Sequence, residues 1–470
     1  MTINHLIFRA YDIRGIAMGE NPDLTAETIK LIGKGTGTYM KRKYGTKNML
    51  IGRDNRLHGE ELQKAFIEGI RETGIDVTDT GLITSPLLYY AVCKFGADSG
   101  VNITASHNPK EYNGVKIVGR SAHSVCGDEL QEILKLIQNN DFETEEGRLE
   151  IKEDIFETYK KDITARIKPA KPLKVVIDAG NGTAGKFAPD LLRALGCQVT
   201  ELYCDLDGNY PNHEANPEEE SNMRDLGKLV IQEKADLGIG FDGDGDRVGI
   251  VDENGKHYSA DFLILLLARE LLSQKTGSQI VFDVKVSRIL IDEIKKLGGI
   301  PIMSKTGHSF IEARMHELGA PLAGEISGHL FFGKDHYDYY GFDDAFFGAC
   351  KILEILSKSD KKFSQQFETL PKMFTTPEYK TSCPDDKKFQ IVKELTKHFT
   401  RQYDCITIDG VRVNFDETSW GAVRCSNTSP NLTLRFEAQT KEKLKEIKKI
   451  MADEMKKYPQ VSLDWYNKNP

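Results

Sequence analysis

Short apolar runs of about five residues alternate with longer stretches in which apolar positions recur every three or four residues. Asn48-Met-Leu-Ile-Gly-Arg-Asp54 leads through an amphipathic stretch from Glu60 to Arg71, then to Gly74 and Ile75-Asp-Val77. Leu173-Lys-Val-Val-Ile-Asp178 leads in the same way through Phe187 to Leu195, Gly196 and Gln198-Val199. Gln279-Ile-Val-Phe-Asp283 leads through Ser287 to Leu297, Gly298-Gly299 and Pro301-Ile-Met303. Each pattern predicts a strand, a crossover helix and a second strand, the building block of parallel α/β layers. The copies lie too far apart for a solenoid repeat, so they predict whole domains of related design. After about residue 369 the pattern stops. Strands are expected near Ile406-Thr-Ile408, Val411 to Phe415 and Leu432 to Phe436, then a Lys/Glu-rich helix from Lys441 to about Lys457, an α+β arrangement.

A chain of 470 residues suggests about three domains by length alone. Charged residues at 29% and hydrophobic residues at 39% exclude disordered and collagen-like classes. The net charge of -8, from 63 basic and 71 acidic residues, comes without a long basic run and argues against nucleic acid as a partner. The eight cysteines include no Cys-x-x-Cys pair, so neither a zinc knuckle nor a disulfide framework is indicated. The N-terminal residues reach charge before a signal peptide could develop, and Phe262 to Leu272 is too short and too charged to span a bilayer. A cytoplasmic protein without membrane partners is expected.

The densest chemistry lies in Asp242-Gly243-Asp244-Gly245-Asp246-Arg247, between two strand-like runs. Glycine spacers let three carboxylates aim at one point. Without a cation they would repel and one would tend to take up a proton; with one, they suit magnesium. Glu253 stands where a helix-loop-helix calcium site wants its twelfth ligand, but Arg247 fills the sixth position, which requires glycine, and the flanks are strands. Ile103-Thr-Ala-Ser106-His107-Asn108-Pro109 places a serine on a turn. In company with the acidic loop, Ser106 is a candidate nucleophile or phosphoryl carrier. Arg424-Cys-Ser426-Asn427-Thr428-Ser-Pro430 offers donors with no acid among them, a phosphate cradle. Gly324-Glu325-Ile-Ser327-Gly-His329 carries acceptors suited to sugar hydroxyls, while Lys285 and His308 stand at strand ends where α/β sheets place ligands.

These motifs, in this order and over essentially the whole chain, resemble the α-D-phosphohexomutase superfamily, in its phosphomannomutase/phosphoglucomutase branch. Phe8-Arg-Ala-Tyr11-Asp-Ile-Arg14-Gly15 is similar to the family's N-terminal signature, and Thr104 to Pro109 with Tyr112 to Lys116 resembles its phosphoserine loop. The resemblance implies four domains around a central cleft, three related mixed α/β units and a C-terminal α+β domain like the TATA-binding-protein fold. Boundaries at 1–150, 151–254, 255–368 and 369–470 are expected.

It further implies catalytic roles for Ser106, Arg14, His107, Lys116, Arg247 and His329. Substrate binding would fall to Tyr11, Lys285, His308, Glu325, Ser327, Arg424, Ser426, Asn427 and Thr428. One Mg²⁺ would be held by Asp242, Asp244 and Asp246 with Ser106. The expected reaction interconverts hexose 1-phosphate and hexose 6-phosphate, of mannose or glucose, through phosphorylated Ser106 and a hexose 1,6-bisphosphate that also serves as activator. The proton acceptor stays open among His329, Arg14, Lys116 and His308. Glucosamine-specific relatives commonly carry glutamine at the position of Ile326, which disfavours a phosphoglucosamine mutase. A magnesium-dependent sugar-phosphate phosphatase would use the same serine and acidic loop, and a sugar-phosphate sensor would keep the pockets without the chemistry. A monomer or weak homo-oligomer acting on small sugar phosphates is expected. Two departures from the family, Asn102 at a usually apolar position and Cys425, are expected to touch no catalytic group.

Overall fold

A computed structural model of the chain describes residues 3–426 and 429–466. Its strands form four sheets. The first unit runs β1 (Ile13–Ile16), β2 (Asn48–Arg53), β3 (Asp76–Leu82), β4 (Ser99–Ile103), β5 (Tyr112–Val118) and β6 (Leu149–Ile151), ordered β1-β5-β4-β2-β3-β6. The second holds β7 (Lys174–Asp178), β8 (Gln198–Leu202), β9 (Leu237–Phe241), β10 (Val248–Asp252) and β11 (His257–Tyr258), ordered β11-β10-β9-β7-β8. The third holds β12 (Gln279–Asp283), β13 (Ile300–Ser304), β14 (Leu322–Gly324) and β15 (Leu330–Phe332), ordered β13-β12-β14-β15.

In each unit the strand-helix-strand pattern folds as expected: β2 pairs β3, β7 pairs β8 and β12 pairs β13 in parallel. The central strands β7 and β12 are buried from their second residue on and carry short apolar runs, Val175 to Ile177 and Ile280 to Phe282, as strands covered on both faces do. A second parallel neighbour follows in each case, β4, β9 or β14. That neighbour then turns back in an antiparallel pair, β4 with β5, β9 with β10 and β14 with β15. The serine loop, the acidic loop and the Glu325 loop are the tips of these three pairs.

The last unit is an antiparallel sheet of β16 (Phe374–Thr375), β17 (Tyr379–Ser382), β18 (Asp404–Ile406), β19 (Val411–Asn414), β20 (Trp420–Cys425) and β21 (Asn431–Ala438), packed on helices Asp385–Phe399 and Lys441–Met455. The strand expected at 406–408 lies two residues earlier, since Asp404 to Ile406 pairs with Asn414 to Arg412 and residues 407–410 form the turn. The alternation missed β20, whose six residues are mostly buried on both faces. The Arg424 loop joins β20 to β21, so a fourth antiparallel turn faces the others. The first and fourth units each have their own apolar core, whereas one continuous core serves the second and third and takes in helix Ser85–Phe95 of the first.

Candidate active site

The four turns converge on one cavity of about 110 Å³. It is lined by Tyr11, Arg14, Ser106, His107 and Lys116 of the first unit, Arg247 of the second, Lys285, His308, Glu325, Ser327 and His329 of the third, and Arg424 and Ser426 of the fourth. Asn427 and Thr428 lie outside the described residues. Asp242, Asp244 and Asp246 lie beneath the lining, fully buried.

Ser106 is held in a left-handed conformation, φ 51°, which is uncommon outside glycine and persists only where the surroundings enforce it. Arg56 enforces it. Its guanidinium donates to the carbonyls of Ser106 (2.9 Å), Asn108 (2.7 Å), Pro109 (2.8 Å) and Tyr112 (2.9 Å), and to the Asp54 carboxylate (3.1 Å). Asp54 accepts from the Thr104 hydroxyl, which accepts from the Ser106 N–H. Arg14 grips the same loop through Ala105 O and Asn108 Oδ1. Gly243 packs beneath it, where a Cβ would stand 2.5 Å from the Ser106 carbonyl.

The Ser106 hydroxyl donates to Asp242 Oδ2 at 2.7 Å and lies 3.1 Å from His107 Nδ1. With Asp242 Oδ2 accepting the serine proton, His107 Nδ1 is left to donate to Ser106. Burial, helped by Arg247 and Arg14, holds His107 well below the usual histidine range, so it is neutral. Burial, with Asp246 and Asp244 nearby, pushes Asp242 well above the carboxylate range. At Asp246 burial acts the same way but is overridden by Lys116, His329 and Arg247, which hold it well below.

Lys116 Nζ pairs with Asp244 Oδ2 at 2.7 Å and with Asp246 Oδ2. Asp242 Oδ1 accepts the backbone N–H groups of Asp246 and Arg247. Two buried oxygens, Asp244 Oδ1 and Asp246 Oδ1, are left without a hydrogen bond. Orphaned carboxylate oxygens in a cluster whose ligand atoms lie within 4.8 Å of one another suit a hard divalent cation.

His329 is buried 2.7 Å from Asp343 Oδ2 through its Nδ1, and its Nε2 accepts from Arg247 Nε at 3.1 Å. The acceptor role of Nε2 leaves the imidazole proton on Nδ1, close to Asp343 Oδ2 but without a hydrogen bond to it in this geometry. Burial pulls the His329 pKa down, but Asp246 and Asp343 outweigh it and the balance lies above the ordinary value. Burial drives His308 down to about 4, so it is neutral. Glu325 accepts from the Gly307 N–H and the Ser327 hydroxyl.

Across the cavity, Lys285 pairs with Glu378 at 2.6 Å, and Arg424 Nε with Asp409 Oδ2 at 2.6 Å. Burial would raise Glu378, yet Lys285 and Arg424 hold it down at about 2. Sequence reasoning missed Arg56, Glu218, Asp343, Glu378, Lys380 and Thr433. Only Asp343 had a local signal, the paired Asp343-Asp344 before a helix.

Three mixed sheets and one antiparallel sheet around a cavity with cations from all four units, and a hydroxyl on an acidic cluster, define a phosphoryl-handling enzyme architecture. Sequence comparison gives the family. The descriptions "Phosphoglucomutase/phosphomannomutase, alpha/beta/alpha" domains I, II and III match residues 5–144, 156–255 and 259–374, and that of the C-terminal domain matches 378–454. A phosphomannomutase/phosphoglucomutase of Pseudomonas aeruginosa is 44% identical over 456 residues, 97% of this chain and 96% of the relative. A phosphoglucomutase of Neisseria gonorrhoeae is 39% identical over 95% of this chain and 96% of its own. The crystal structure of a Burkholderia thailandensis phosphoglucomutase/phosphomannomutase family protein superposes with a TM-score of 0.90 at 38% identity, covering 98% of this chain and 99% of that one. The chain belongs to the phosphoglucomutase/phosphomannomutase family and is an enzyme.

Proposed function

We propose that the protein is a phosphohexomutase that moves a phosphoryl group between O1 and O6 of a hexose monophosphate, mannose or glucose, through phosphorylated Ser106. The observation that carries this is the single cavity in which Ser106, the acidic trio beneath it and the Arg424–Ser426 turn come together with cations from all four units. A phosphatase needs one phosphate site; a mutase needs a second, for the phosphate that is not reacting.

In this reading the phosphoserine Oγ–P bond breaks as a sugar hydroxyl oxygen bonds to phosphorus, giving a hexose 1,6-bisphosphate and the free Ser106 alkoxide or hydroxyl. The bisphosphate turns over in the cleft, returns its other phosphate to Ser106, and leaves as the isomer. His329 Nε2, which accepts from Arg247 Nε in the ligand-free chain, takes the proton of the attacking hydroxyl once Arg247 turns from it to the phosphoryl group. Arg247 and Lys116 neutralise the charge at the transferred group, and Arg14 fixes the loop that presents the serine. Glu325 and Ser327 grip hydroxyls that both orientations share. Lys285, Arg424 and Ser426, with Asn427 and Thr428 of the same turn, hold the idle phosphate, and Tyr11 and His308 close the sugar pocket. Mg²⁺ on Asp242, Asp244, Asp246 and a phosphoserine oxygen would screen the phosphoryl charge.

Intact-mass measurement is expected to find one phosphoryl group per chain, at Ser106, and Ser106→Ala to collapse turnover with folding intact. Assays on mannose, glucose and glucosamine 1-phosphates with bisphosphate added should show isomer formation with sugar phosphate conserved. Release of inorganic phosphate equal to substrate loss would instead identify a phosphatase.

A further inference from the structure

Asn102 is buried on β4, where an amide is costly unless bonded. Its Nδ2 donates to Ser85 Oγ at 2.9 Å, and Ser85 Oγ donates to Asp244 Oδ2 at 2.6 Å. Both residues belong to the first unit, and Asp244 to the second. Asn102 bonds to no catalytic group directly, but it reaches the acidic loop through one intervening hydroxyl. The donor directions are forced. A carboxylate has no proton to give, so the Ser85 proton must lie toward Asp244 and the Asn102 amide must supply N–H to Ser85.

The backbone N–H of Ser85 donates to the Asp244 carbonyl at 3.0 Å, which docks the first turn of helix Ser85–Phe95 against the acidic loop. The cross-strand partner of Asn102 on β5 is Lys116, whose Nζ also binds Asp244 Oδ2, at 2.7 Å. Two donors from adjacent strands, one direct and one relayed, thus converge on the same oxygen. Asp244 Oδ2 is saturated, and Oδ1 is left buried without a hydrogen bond.

We propose that Ser85 and Asn102 are positioning residues for the divalent cation: by fixing Asp244 Oδ2 from the first unit, they aim Oδ1 at the ion and lock the metal loop against the serine loop. This rests on the reading of the acidic trio as a magnesium site. Partners that orient a ligand in this way change metal affinity about 10- to 100-fold when removed. Asn102 acts one bond further out, so its loss should be felt less.

The test is calorimetric titration of the full chain with Mg²⁺, alongside melting temperature. Ser85→Ala is expected to weaken Mg²⁺ binding about tenfold or more, and Asn102→Leu, which fills the site with an apolar side chain, by about three- to tenfold. Activity at limiting Mg²⁺ should fall in step and recover as Mg²⁺ is raised. A merely structural role would lower the melting temperature and leave the affinity alone, and unchanged Mg²⁺ affinity in a folded variant overturns the proposal. Where Ser85→Ala does not fold, Asn102→Leu decides by the same criterion. If the unsubstituted chain itself binds no Mg²⁺, the metal reading falls and this inference with it; if it binds and the variants bind equally, only this inference falls.

Discussion

At the scale of single residues, the site works by assigning each proton to one place. Ser106 points its proton at Asp242, and His329 carries its own on Nδ1, beside Asp343, because Arg247 Nε donates to the other ring nitrogen. Asp343→Asn keeps the shape of the contact but replaces the carboxylate that favours the Nδ1–H form. It is expected to lower kcat about 10²- to 10⁴-fold. With His329 as the proposed base, activity should rise with pH through its pKa, which Asp246 and Asp343 hold above its ordinary value. Removing one of those charges should move the acid limb of the kcat profile to lower pH, and a profile that falls without moving would leave Asp343 a packing role. Contiguity decided what could be read beforehand. Asp242, Asp244 and Asp246 announce themselves because their side chains meet within five residues. Arg56 meets carbonyls 50 to 56 residues away, and Glu378 meets a lysine 93 residues away, so nothing local marks either.

At the scale of elements, apolar periodicity revealed the crossover helices because burial on one face of a helix is written at every third or fourth position. It did not reveal that each unit presents its chemistry on an antiparallel turn after a parallel strand. Strand direction depends on which neighbour accepts the hydrogen bonds, and a short apolar run reads the same either way. Helix His308–Leu318 shows how such elements are tied together across units. Its Glu312 is buried and accepts from the Ser124 hydroxyl of the first unit, while its other oxygen has no hydrogen bond. Burial pushes the carboxyl from 4.5 up to about 8. Between those two values the folded chain holds one more proton than the unfolded chain, so its stability falls as pH rises across that window. Glu312→Gln removes the titration and keeps an acceptor for Ser124. The variant should match the parent in stability near pH 4.5 and gain on it steadily, to on the order of 4 kcal/mol by pH 8. Melting curves at three pH values would check this, and a gain independent of pH would show that Glu312 is ionised throughout.

At the scale of the whole molecule, the cavity is narrow. Its volume of about 110 Å³ falls below the roughly 300–1,000 Å³ of pockets that bury small ligands, so a wider cleft is expected when a hexose phosphate is bound. The fourth unit has an apolar core of its own, from Tyr379 to Trp465, and shares none of the large core of the second and third units. Polar contacts hold it in place. Arg412 donates to the carbonyls of Val284 and Val286 next to the strand end of the third unit, while Asp409 accepts the Thr306 N–H at the cavity wall. The Lys285–Glu378 pair lies on the cavity itself, so an incoming phosphate and the Glu378 carboxylate compete for one ammonium. Glu378 therefore ties the fourth unit to Lys285 of the third at the ammonium that a ligand anion would claim. Breaking a largely buried pair of this kind costs about 3 kcal/mol. Glu378→Gln should let the fourth unit swing out, giving a larger radius of gyration in small-angle scattering of the ligand-free chain. Hexose 1,6-bisphosphate should restore the compact form by supplying the anion that the substitution removed. A radius equal to that of the parent, with and without bisphosphate, would place the tie in the Arg412 contacts instead.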